Sequence, residues 1–310
     1  MEQQLDRREF ITKAGKFGLG LGLISALPVY LGAQELSKEL FFDISLAQYS
    51  YHRALQDREM TNLEFPSKAK ELGINAVEYV SFFFKDNKVN KTEIAELKLR
   101  TDDIGVQNVL IMCARSGNLA SSDEKERKAA VANHYQWVET SSELRGHAIR
   151  VDLRGKGSKE QMAGASVKSL AELCDYAKGS GVNILVENHG GASSDGKWLS
   201  QVMTDVGLEN CGTLPDFGNF TIDRKKNIVY DKYKGIKELM PFAKAVSAKS
   251  YDFDEFGEET VIDYHKMLKM VKHAGYKGYV GIEYEGKRLE ETEGILATKQ
   301  LLEIVGRKLS

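Results

Sequence analysis

From residue 40 onward, short apolar runs alternate with longer stretches of helical periodicity. The apolar runs Phe42–Ala47, Ala76–Val80, Val106–Met112, Ala148–Leu153, Asn183–Glu187, Gly212–Asp216, Ala245–Lys249 and Gly278–Glu283 each predict a strand. Stretches between them, such as Ser158–Lys178 and Val261–His273, predict helices. In the second, Ile262, Met267, Leu268 and Val271 form an apolar stripe at helical spacing. Gly73, Gly105, Gly146, Gly181 and Gly275 stand just before strands, where each can end the preceding helix. Eight strands recurring every roughly 30–40 residues predict an α/β fold, a closed (βα)8 TIM barrel. The rival is a doubly wound open sheet, which usually carries a Gly-rich phosphate turn after its first strand. Here the first strand runs into Gln48-Tyr49-Ser50-Tyr51-His52-Arg53, without a glycine. The barrel is the better fit.

No Pro- or Ser-rich linker divides this alternation, so one barrel domain is expected over residues 34–310. Residues 1–33 read differently. Asp6-Arg7-Arg8-Glu9-Phe10-Ile11 is followed by Lys13, Lys16 and a Gly-diluted apolar core, with Leu31-Gly32-Ala33 as a small-residue end. Paired arginines before a weakly apolar core predict a twin-arginine export signal and a periplasmic mature protein. The apolar stretch is shorter than the about 20 residues that a membrane span needs.

Composition narrows the function classes. The chain has 310 residues, 42% of them hydrophobic, with 43 basic against 45 acidic side chains. That is enough apolar content for a large core, and there is no basic surplus to hold a nucleic-acid backbone. No membrane partner is expected for the mature form, and a homo-oligomer is left open. Cys113, Cys174 and Cys211 form no Cys-x-x-Cys pair and read as free thiols in the packing.

Glu187, Asp216 and Glu283 each end an apolar run. A carboxylate just past a buried strand bears a desolvation cost that a partner of opposite charge must offset. If these strands are parallel neighbours, the three acids converge on one rim, and a divalent cation is the simplest shared partner. Other polar residues gather at the same strand ends. They include Tyr49, Tyr51, His52, Glu78, Arg115, Asp152, Arg154, Asn188, His189, Asn219, Ser247, Lys249, Tyr251, Asp252 and Glu285. A rim so rich in hydrogen-bonding groups suits a sugar, whose hydroxyls each need a partner when buried.

Three motifs make the resemblance specific: Val186-Glu187-Asn188-His189, Leu214-Pro215-Asp216-Phe217-Gly218-Asn219, and Gly275-Tyr276-Lys277-Gly278-Tyr279-Val280-Gly281-Ile282-Glu283-Tyr284-Glu285. In order and spacing the chain resembles the xylose-isomerase-like TIM barrel superfamily, within it the sugar phosphate isomerase/epimerase group. That resemblance implies a divalent ion, Mn, Mg, Co or Zn, held by Glu, Asp, His and Glu on strands five to eight. Carried over, Glu187, Asp216 and Glu283 are three ligands, with Glu187 and Glu283 also serving as acid and base. The expected His falls at Ser247. His189 could supply the fourth ligand, a water on Ser247 could complete the shell, or the Lys249 ammonium could replace the ion. His52, Asn219, Lys249, Tyr251 and Arg154 are the expected substrate contacts.

The expected function is a metal-dependent sugar isomerase or epimerase that abstracts a proton next to a carbonyl. Periplasmic placement favours a non-phosphorylated or keto-sugar substrate. The alternatives are a metal-dependent lyase acting on a keto-glycoside and a non-catalytic periplasmic sugar-binding protein. Metal-dependent endonucleases resemble the same barrel, but the charge balance speaks against that reading.

Overall fold

The computed structural model describes residues 38–310. The proposed leader, residues 1–33, lies outside the described residues. Eight parallel strands form the barrel: β1 (Asp43–Ala47), β2 (Ala76–Val80), β3 (Gln107–Cys113), β4 (Ala148–Val151), β5 (Asn183–Glu187), β6 (Cys211–Leu214), β9 (Val246–Ser250) and β10 (Tyr279–Tyr284). Their order is β6-β5-β4-β3-β2-β1-β10-β9. The two outer strands meet through isolated parallel bridges, Thr213 with Ala243 and Asp216 with Ser247. Ser247 N donates to Pro215 O at 3.0 Å and Phe217 N to Ser247 O at 3.1 Å, which closes the cylinder. The expected (βα)8 architecture is what the chain forms, and each strand lies within a few residues of its predicted span.

Side-chain alternation along these strands decides what lies inside. Leu46, Val77, Ile111, Ile149, Ile184, Ala248 and Ile282 belong to the large core cluster beneath the helices. Ala47, Leu110, Met112, Leu185 and Leu214 form a smaller cluster of their own. Their neighbours on the inner parity include Ser45, Glu78, Arg150, Glu187, Ser247, Lys249 and Glu283, all buried. One end of the barrel interior is therefore polar and charged. Gly281 makes room for it: a Cβ there would stand 2.5 Å from Glu78 Oε1.

Helix ends mostly follow the sequence signals. Gly73, Gly105, Gly181 and Gly275 take positive φ, as expected of helix-ending glycines. At the remaining position Arg145, with φ 60, adopts the left-handed conformation expected of Gly146. The helix expected from Val261 begins at Tyr264, because the Asp263 carboxylate caps it by accepting from Lys266 N. Val261 and Ile262 instead lie in a loop whose amides donate to the buried Glu259 carboxylate. A hairpin absent from the sequence reading, β7 (Thr221–Asp223) with β8 (Ile228–Val229), follows β6. The three cysteines are free, Cys113 and Cys174 buried and Cys211 partly so. No helix among the described residues is long and apolar enough to cross a membrane.

Candidate active site

The acid trio does converge. Carboxylate oxygens of Glu187, Asp216 and Glu283 lie within 4.8 Å of one another, and all three residues are buried. Glu187 ends β5 and Glu283 lies in β10. Asp216 follows Pro215, which has no N–H to continue the ladder. Asn188 sets the position of Asp216: its Nδ2 donates to Asp216 O at 2.9 Å, and its Oδ1 accepts from Asp216 N at 2.8 Å. Asp216 Oδ1 in turn accepts from Gly218 N and Asn219 N, both at 2.7 Å, which fixes the carboxylate and the following turn together.

Two buried cations flank the trio. Lys249 Nζ lies 2.9 Å from Glu283 Oε1, 3.5 Å from Asp216 Oδ2 and 2.5 Å from Glu285 Oε1. Arg150 lies on the side of Glu187, its Nε 2.6 Å from Glu187 Oε2 and its Nη1 2.9 Å from Asp152 Oδ1. The Nε contact is one of charge, since its direction misses hydrogen-bond geometry and leaves Glu187 Oε2 buried without a donor. Glu187 Oε1 accepts from Asn219 Nδ2 at 2.9 Å.

Burial and neighbouring charges together explain the protonation pattern. Burial pushes Asp216 up to about 7; Lys249 pulls it down, and Glu187 and Glu283 push it up again. Burial pushes Glu283 upward too, but Lys249 and Arg150 outweigh it and hold that carboxyl below its usual value. Burial disfavours the Lys249 ammonium, yet Asp216, Glu283 and Glu285 raise its pKa well above the ordinary lysine value. Ser247 Oγ lies 2.9 Å from both Asp216 Oδ2 and Glu283 Oε2. A hydroxyl has one proton to give. Both contacts are satisfied when Ser247 donates to Glu283 and a protonated Asp216 donates to Ser247.

The other expected residues separate into those on the site and those behind it. His189 is grouped with Asp152 and Glu187, not with Asp216 and Glu283. Its Nδ1 lies 2.8 Å from Asp152 Oδ1, and Arg154 Nη2 donates to its carbonyl at 3.3 Å. Burial lowers the His189 pKa, but Glu187 and Asp152 raise it further, which favours the imidazolium. Arg154, His189 and Asn219 line a cavity of about 620 Å³ together with Tyr49, Arg150 and Glu283. His52 is not on that wall. It stacks on Tyr49 at 4.9 Å and its Nδ1 lies 2.9 Å from Tyr49 O, and Tyr49 is the one of the two that lines the cavity. Tyr251 also lies off the wall, close to Gly218, where a Cβ would stand 2.6 Å from the tyrosine hydroxyl. Arg150 and Arg224 are cavity residues that the sequence reading missed. Arg150 could have been found by strand alternation, since it takes the opposite parity to Ile149 and Val151.

The donor set fits a divalent cation: three converging buried carboxylates and one carboxylate oxygen without a donor. Glu187, Asp216 and Glu283 are the residues that could hold it. Lys249 already supplies positive charge on the side of Asp216 and Glu283.

The solved structures that share the fold include the following three. A D-tagatose 3-epimerase-like protein is 18% identical with a TM-score of 0.68, covering 87% of this chain and 100% of the other. A xylose isomerase-like TIM barrel protein from Mycobacterium smegmatis, in complex with magnesium, is 14% identical with a TM-score of 0.67, covering 88% and 100%. A 3-keto-D-glucoside 4-epimerase from E. coli is 14% identical with a TM-score of 0.64, covering 85% and 99%. No match is found among curated proteins. The model of the xylose isomerase-like TIM barrel family matches residues 66–304, most of the chain, and the chain belongs to that family.

Proposed function

We propose that the protein is a sugar isomerase or epimerase that moves a proton next to a sugar carbonyl, using Glu187 and Glu283 as the acid–base pair. One observation carries this reading: two buried carboxylates meet at the barrel interior beside a polar cavity of sugar size, and Glu283 is held ionised by Lys249 and Arg150. The sugar epimerases among the structural neighbours support the same class. The substrate is a non-phosphorylated or keto-sugar.

Glu187, Asp216 and Glu283 would hold a divalent ion, which would supply positive charge to stabilise the negative charge that develops on substrate oxygen. The side chains do the rest. One of Glu187 and Glu283 removes the carbon-bound proton, and the other returns it to the opposite face or the adjacent carbon. Arg150 adds fixed positive charge where negative charge builds on oxygen. Asn219 and His189 orient hydroxyls, and Tyr49 covers the sugar ring. Asp152 keeps His189 and Arg150 in place: burial opposes its charge, but Arg150 and His189 hold the carboxyl well below the usual range.

The test is solvent deuterium entering candidate ketoses, with metal content measured on the same preparation. Glu187→Gln and Glu283→Gln should each reduce wash-in by orders of magnitude. Wash-in at the wild-type rate in both variants would reject the pair. A second reading rests on Lys249 and Ser247, since a lysine already countering the trio suits a barrel that binds sugar without turnover. Sugar binding by a metal-free protein with no wash-in would favour it. We also propose export by the twin-arginine route. Retention of the mature chain in the cytoplasm on fractionation would reject that step.

A further inference from the structure

We propose that the mouth of the cavity carries a subsite for an anionic group on the non-phosphorylated substrate, a carboxylate, bound by Arg115 and Arg224 with Arg154 beside them. The inference rests on reading the cavity as a sugar site. It adds the chemistry of the substrate's remote end.

Charge pairing separates these arginines from the other ions on the wall. Asp152 is taken up by Arg150, Arg154 and His189, and Glu283 and Glu285 by Lys249. Arg115 and Arg224 line the same cavity, and among the described residues neither has a carboxylate at ion-pair distance. The Arg115 guanidinium lies over the face of Phe82, 4.5 Å from the ring centroid. Such a stack leaves the guanidinium edge free to donate. Arg154 and Arg224 also line an adjoining cavity of about 770 Å³, so the positive wall continues outward.

The backbone under Arg115 is held in place. Its φ of 58 is a left-handed value, uncommon for a residue with a side chain. Ser81 Oγ and Asn87 Nδ2 each donate to Ala114 O at 3.1 Å, and Asn133 Nδ2 donates to Ser116 O at 3.2 Å. Three side chains therefore fix the turn that aims one exposed arginine, a pattern of maintained strain that recurs at ligand clamps. The Arg224 turn is ordered as well. Asp223 Oδ1 accepts from Lys225 N at 2.9 Å and Lys226 N at 3.1 Å, which occupies that acid with backbone donors.

Depth orders the two chemistries. Glu187, Asp216 and Glu283 are buried, whereas Arg115, Arg154 and Arg224 are exposed. A bound sugar would place its reacting carbons against the acids and its anionic end against the arginines, whose planar forks match the two oxygens of a carboxylate.

Calorimetric titration of the wild type and an Arg115→Gln/Arg224→Gln variant tests this. The probes are D-glucose, D-glucuronate, D-glucose 6-phosphate and inorganic phosphate. The wild type should bind D-glucuronate about ten- to a hundredfold more tightly than glucose, with an advantage that shrinks as salt rises. That ratio should fall to near unity in the variant. A larger advantage for glucuronate supports the carboxylate, and a larger one for glucose 6-phosphate overturns it in favour of a phosphoryl. An advantage that survives the double substitution overturns the subsite, as does failure of all three anionic probes to bind at millimolar concentration. Equal binding of glucose and the anionic sugars overturns it while leaving the sugar reading intact, and wash-in judges that reading separately.

Discussion

Asn188 holds Asp216 by both faces of its peptide backbone, donating to the carbonyl at 2.9 Å and accepting from the amide at 2.8 Å. The residue after one candidate ligand thus positions the next. Asn188→Ala would leave a buried N–H and C=O without partners, at a cost of about 2–4 kcal/mol. Urea unfolding should show that loss, and binding of Mn²⁺ by the purified variant should weaken with it. Unchanged stability would mean that another group takes over both backbone bonds.

Lys249→Met removes the ammonium that Asp216, Glu283 and Glu285 share. Breaking one partner out of a buried ion cluster costs about 3–5 kcal/mol. A divalent ion at the trio would replace the missing charge, so Mn²⁺ should recover part of the lost thermal stability. Full destabilisation with no response to Mn²⁺ would argue that the trio does not take an ion.

Glu78 gives stability a defined pH dependence. Burial, against a 2.5 Å hydrogen bond from Ser45, pushes its carboxyl up to about 7 from an ordinary 4.5. The folded state keeps a proton that the unfolded chain has released across that window. The contribution is therefore fully present below about 4.5 and lost as pH rises through about 7, by about 3 kcal/mol. Glu78→Gln should lack this fall. Urea midpoints from pH 4.5 to 8 should converge at the acid end and separate in favour of the variant at the alkaline end, and parallel curves would contradict the assignment.

Gly281→Ala places a methyl group 2.5 Å from Glu78 Oε1 and 2.9 Å from its Cδ. The carboxylate can move only by giving up its bond from Ser45, so a loss of about 1–3 kcal/mol is expected. The double variant Gly281→Ala/Glu78→Ala should recover part of it. If the single variant melts with the wild type, the Glu78 carboxylate has room to move aside in the barrel interior.

The strands and the acid trio were legible because each strand is an apolar run and each acid interrupts one at its end. Arg150 was not, because a charged residue inside an apolar run looks like noise until alternation assigns it to the inner parity. His52 was expected on the wall, yet the chain turns helical right after β1 and presents Tyr49 in its stead. Periodicity cannot foresee that rotation. Arg224 sits in a hairpin with strands of three and two residues, too short to leave an alternation signal. Ser247 in place of histidine was visible from the start. What Lys249 touches was not, since a lysine at a strand end can as easily face solvent.

The seam between β6 and β9 has a last implication. The other seams of the cylinder hold ladders of at least two consecutive residue pairs, whereas this edge is fastened at separate points, one of them Asp216 with Ser247. The latch of the wall and the wall of the reaction chamber are thus one pair of residues. Breathing along that edge would spread the acids before it loosened any helix, so damage to the scaffold here would first register as weakened ligand grip.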